Sequence, residues 1–164
     1  MSRGTLVAGV GNIFLADDGF GVEVAKRLRS HELPPGVRVE DFGIRGVHLA
    51  YELLNGYDRL ILIDAMPQGG QPGTIYVMEP DLDDLPAGTV TDAHGMDPES
   101  VIAMLKSLGG EIGRVLIVGC EPVEVVERIG LSEVVAGAVE EASRVVLELI
   151  NEESAIHTQT AKEA

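Results

Sequence analysis

The sequence predicts an α/β domain: a three-layer, doubly wound sheet of about five strands, four parallel and one antiparallel, with helices on both faces. Three observations carry this reading. Short runs that are almost wholly apolar recur at residues 5–10, 59–64 and 114–120, as expected of parallel strands covered on both sides. Segments with apolar residues at helical spacing alternate with the strand-like runs. Glycine-rich or acidic stretches stand at the carboxyl ends of the runs, the edge where an open α/β sheet binds its ligands.

Taken in order, the run at 5–10 opens into the loop GVGNIFLADDGFG (9–21), which crowds glycines, one amide and two adjacent carboxylates. A helix follows from Phe20 to about Ser30, its apolar face formed by Phe20, Val24 and Leu28. Leu33-Pro34-Pro35-Gly36 stops it, and 37–41 alternates as a short strand ending in a second glycine loop, DFGIRG (41–46). Residues 47–54 place Val47, Tyr51 and Leu54 at helical spacing, closed by Asn55-Gly56. RLILID (59–64) reads as a central strand that ends abruptly in a carboxylate. The turn at 69–73 is too short for a crossover helix, so 74–78 is expected antiparallel to its predecessor and at a sheet edge. Residues 79–93 show no period and read as a working loop, with His94 at its far end. Asp97-Pro98 starts a helix whose apolar face is Val101, Ile102, Leu105 and Leu108. RVLIVGC (114–120) is another buried strand, and 132–150 forms a long helix with Val135, Val139, Ala142, Val146 and Leu149 on one stripe. Residues 1–150 form one domain, and 151–164 are expected to be a flexible carboxyl-terminal tail.

Composition narrows function by exclusion. A formal charge of −15 on 164 residues repels nucleic acid and anionic lipid, leaving neutral or cationic partners and metal ions. No apolar run approaches the roughly 20 residues that a membrane helix requires. One cysteine, Cys120, forms no internal disulfide. A cytoplasmic protein, monomeric when free, is the expectation.

The candidate chemistry lies at the carboxyl edge. If the first and third strands are neighbours, Asp18 and Asp64 converge there and His94 reaches them from the long loop. Two carboxylates and one imidazole suit nickel, zinc, manganese or iron and leave coordination positions open. Bland readings compete: Asp18 as a helix cap, Asp64 as a strand end, His94 as a solvated loop residue. A dinucleotide site fails, because Phe14 stands at the third glycine position and Asp17 and Asp18 oppose a pyrophosphate. A receiver-like, magnesium-binding phosphoacceptor domain is the alternative, with Asp17, Asp18 and Asp64 as its acids. It lacks the lysine after the last strand, where Cys120-Glu121-Pro122 stands. Cys120 reads as a core residue before it reads as a nucleophile.

The chain also resembles a known family, the endopeptidases that mature the large subunit of nickel-iron hydrogenases. The resemblance rests on GVGN (9–12), DDGFG (17–21), DFGIRG (41–46), Asp64-Ala65, His94, GCEP (119–122) and GLS (130–132), in the family's order and spanning about 5–150. It implies that Asp18, Asp64 and His94 are metal ligands, with Asn12 and Asp17 beside them as supporting residues. It implies as substrate a hydrogenase large-subunit precursor whose carboxyl-terminal extension is removed after nickel insertion, the nickel being presented by that precursor. Gly43, Ile44, Arg45 and Gly46, next to the first loop, are the candidates for peptide contacts.

Overall fold

The computed structural model describes residues 4–84 and 98–163. Five strands, β1 (Thr5–Val10), β2 (Val37–Gly43), β3 (Arg59–Ala65), β4 (Ile75–Met78) and β5 (Arg114–Cys120), form one sheet in the order β2-β1-β3-β5-β4. β1 pairs in parallel with β2 and β3, β3 pairs in parallel with β5, and β4 pairs antiparallel with β5 at the edge. The expected fold, four parallel strands and one antiparallel edge, is the one observed. β4 hydrogen-bonds β5 and not β3, because the 66–73 turn carries the chain across the end of β5.

Side-chain alternation along the strands divides the core. Val7, Ile61 and Ile63 face α1 (Phe20–Leu28) and α4 (Glu133–Glu163), together with Phe20, Val24, Leu28, Val135 and Val146. Leu6, Ala8, Leu60 and Leu62 face α2 (Gly46–Leu53) and α3 (Pro98–Ser107), together with Leu49, Ile102 and Leu105. The apolar residues of β1 and β3 are therefore buried between helical layers, whereas Val77 and Met78 on the edge strand β4 are exposed.

Three local expectations are corrected. In α2 the buried stripe is Leu49, Ala50 and Leu53, whereas Val47, Tyr51 and Leu54 are exposed. Both stripes have helical spacing, and in a two-turn helix only docking on the sheet chooses between them. Leu108 lies past the end of α3 and is exposed as well. The final helix continues to Glu163, since no proline or glycine follows Gly137 to stop it.

The opposite edge of the sheet from the first loop is closed by one buried cation. Arg59 donates from Nε to the Thr5 hydroxyl (3.2 Å) and from Nη1 to the Leu149 carbonyl (2.9 Å), tying β1, β3 and α4 together.

Candidate functional site

The first loop is shaped by its glycines and by one strained alanine. Gly11 has φ +135°, and a Cβ built on it would lie 1.9 Å from the Asp18 carbonyl oxygen and 3.6 Å from Asp64 Oδ1. Only glycine therefore allows the loop to close between those two residues. The Asn12 side chain folds the tip, its Oδ1 accepting from the Phe14 amide at 2.9 Å. Ala16, at φ +52°, lies in the left-handed region just before the two acids, held by donation from its amide to the Arg128 carbonyl (2.7 Å).

Asp17 and Asp18 sit in a short 3-10 turn, Ala16–Gly19, which leads into α1. Neither residue caps α1 through its side chain, so the capping explanation of Asp18 is set aside. Asp18 Oδ2 instead accepts from the Asn12 amide at 2.8 Å, which fixes its carboxylate over the loop. Asp64, at the end of β3, accepts at Oδ1 from the Ala65 amide (2.8 Å). The Asp18 backbone carbonyl and the Asp64 carboxylate thus both lie beside Gly11, Asp18 in the 3-10 turn that precedes α1 and Asp64 near the end of β3. His94, the third expected ligand, lies outside the described residues. Among the described residues no group of three or more His, Cys, Asp or Glu could hold a metal.

Asp17 does different work. It is fully buried, and Ser132 N–H donates to its Oδ1 (2.7 Å) while Val123 N–H (2.8 Å), Glu124 N–H (3.2 Å) and the Ser132 hydroxyl (2.9 Å) donate to Oδ2. Burial pushes the carboxyl pKa up, but these donors outweigh it and hold the group below its ordinary 3.8. A carboxylate so engaged has no place in a magnesium cluster, which removes one of the three acids that the receiver reading requires. It clamps the segment 123–132 onto the first loop, aided by the backbone bonds Arg128 N–H to Phe14 O (3.0 Å) and Asp17 N–H to Glu124 O (3.3 Å).

Glu121 is a second acid clamp, and sequence reasoning passed over it except as part of a motif. Its Oε1 accepts from the Gln68 amide (2.8 Å), the Gly70 amide (2.9 Å) and the Tyr76 hydroxyl (2.8 Å), pinning the turn that follows Asp64. Burial raises its pKa, and these donors bring it below the usual carboxylate value. The only available signal was a glutamate directly after a buried strand. Cys120 is wholly buried, and burial first, then the charges of Asp17, Glu121 and Glu141, pushes its thiol up to about 12. Such a thiol is no nucleophile at neutral pH.

Gly43, Ile44 and Arg45 line a cleft of about 290 Å³ with Gly11, Asn12, Ile13 and Phe14. Arg45 turns its guanidinium back onto its own loop, donating to the Asp41 carbonyl (2.9 Å) and the Phe42 carbonyl (3.2 Å). Ile44 is exposed, whereas Gly46 is buried as the first residue of α2. The wall of the cleft thus combines the apolar Ile13, Phe14, Val22 and Ile44 with Lys26 and Asp41.

Comparison with known proteins agrees with this architecture. A family model described as hydrogenase maturation protease matches residues 22–149. The hydrogenase expression/formation protein HupD of Rhodobacter capsulatus is 36% identical over 140 residues, 82% of this chain and 65% of that protein, so the match spans slightly less than two thirds of that relative. The HupD protein of Rhizobium leguminosarum is 33% identical over 86% of this chain and 73% of its own length. The hydrogenase maturating endopeptidase HybD from E. coli superposes with a TM-score of 0.73 at 28% identity, covering 92% of this chain and 93% of that one.

Proposed function

The chain belongs to the hydrogenase maturation protease family, and on that basis we propose that it is an endopeptidase that removes the carboxyl-terminal extension of a nickel-iron hydrogenase large-subunit precursor once nickel has been inserted. The observation that carries the reading is the approach of Asp18 and Asp64 around Gly11, where any larger residue would collide with the Asp18 carbonyl. Carboxylates suit a borderline divalent ion, and a protein donor set that is incomplete fits an ion already held by the substrate. His94 is the proposed third donor.

Each residue then has a defined task. Asp18 and Asp64 meet the nickel of the precursor, so that only a loaded precursor seats correctly. The Asn12 amide holds the Asp18 carboxylate, and Asp17 holds the loop that carries it. Gly43, Ile44 and Arg45, with the tip of the first loop, form the trough for the peptide next to the cleavage point, and Gly46, buried at the start of α2, anchors that loop. Arg45, already bonded to two carbonyls, stiffens this wall. The nickel, as part of the substrate, supplies recognition charge at the site.

Incubating the purified protein with nickel-loaded and nickel-free precursor, and following release of the extension by mass spectrometry, tests the proposal. Release from the loaded form alone is expected. Equal processing of the nickel-free form would show that Asp18 and Asp64 do not read the metal.

A further inference from the structure

A second cleft lies away from the two carboxylates. It measures about 790 Å³, runs between α1 and the start of α4, and has a floor of Ala16, Gly19, Leu131, Ala136 and Val139. Ile13 and Lys26 line both this trough and the smaller cleft at Gly43–Arg45, so the tip of the first loop is a ridge with one trough on each side. The rim charges neutralise one another. Lys26 Nζ lies 3.7 Å from Glu23, and Arg27 on α1 pairs with Glu140 on α4 across the trough. An occupant thus meets small apolar side chains and no net charge, and a charged group placed there would be desolvated without a partner.

The lip of the trough is unusual for a protein so rich in acids. Ile129 is 73% exposed, and the same segment carries exposed Val123, Val125 and Val126. Such grouping of aliphatic residues on a surface marks a contact site. This segment is the one that Asp17 clamps to the first loop, so the lip is rigidly tied to the candidate site.

Building on the endopeptidase reading, we infer that this trough is a docking site for a short uncharged aliphatic segment of the precursor, bound while the cleavage point occupies the smaller cleft. The charge pattern selects the chemistry of the segment, and the shared Ile13 and Lys26 make the two contacts continuous. Recognition would thereby require two features of the precursor: its nickel and a distant aliphatic segment.

The test uses Ile129→Ser, which removes the exposed lip, and Ala136→Gln, which fills the floor from the solvent side of α4. With nickel-loaded precursor, KM should rise about tenfold in each variant while kcat at saturation stays near wild type. A KM equal to wild type in both folded variants overturns the inference, as does a loss confined to kcat. If the wild-type protein cleaves nothing, the endopeptidase reading fails separately, and calorimetry with the same precursor decides the docking. Weaker binding by the variants supports it, and equal or absent binding overturns it. A wild-type dimer in sedimentation that Ala136→Gln dissociates would assign the trough to self-association and also overturn it.

Discussion

Asp17 and Asp18 are neighbours with opposite environments, and the same conservative change separates them. Asp17→Asn turns an NH2 group toward backbone N–H donors in a fully buried site, which should cost roughly 2–4 kcal/mol in a urea titration. Asp18 caps no helix through its side chain, and an asparagine oxygen still accepts from the Asn12 amide. Asp18→Asn should therefore unfold within about 1 kcal/mol of wild type yet fail to process nickel-loaded precursor. Processing at the wild-type rate would remove Asp18 from the proposed ligand set. Cys120→Ala should retain cleavage, and its thiol should resist alkylation in the native protein at pH 8, because burial keeps it protonated and covered.

Elements are positioned at contacts that allow no substitution. A Cβ on Gly21, in the first turn of α1, would lie 2.1 Å from the Ile63 carbonyl and 2.4 Å from the Val10 carbonyl. Gly21→Ala must push α1 off β1 and β3, at a cost of about 3 kcal/mol, and should impair processing through displacement of the first loop. Arg59→Met is the contrasting case. It leaves the Leu149 carbonyl and Thr5 hydroxyl without this partner at the far edge of the sheet, so the unfolding free energy from a urea titration should fall by about 1–3 kcal/mol, with precursor processing by the folded fraction maintained. Reduced turnover per folded molecule would show that the two sheet edges are coupled.

In the whole molecule, Asp17 and Glu121 link stability to pH. Both carboxyls titrate lower in the folded protein than their ordinary values of 3.8 and 4.5. Their contribution is thus complete above about pH 5 and is lost as pH falls through the folded values. Melting temperature measured from pH 7 to pH 3 should drop in the acid range, with a shallower drop in Asp17→Asn. The alternation of apolar runs and helical segments already specified the doubly wound sheet, because a strand apolar on both faces is stable only between two helical layers. The crowding of glycine and acid at 9–21 likewise marked the edge where the site forms. Periodicity could not choose which of two equivalent stripes of α2 is buried, since both satisfy the same spacing until the helix meets the sheet. Nor could adjacency in sequence tell Asp17 from Asp18. Their roles diverge because donors from residues 123, 124 and 132, more than 100 positions away, converge on one carboxylate and leave the next bonded to the Asn12 amide of its own loop. That distinction depends on which distant amides the folded chain brings within hydrogen-bonding reach, and only the tertiary structure decides it.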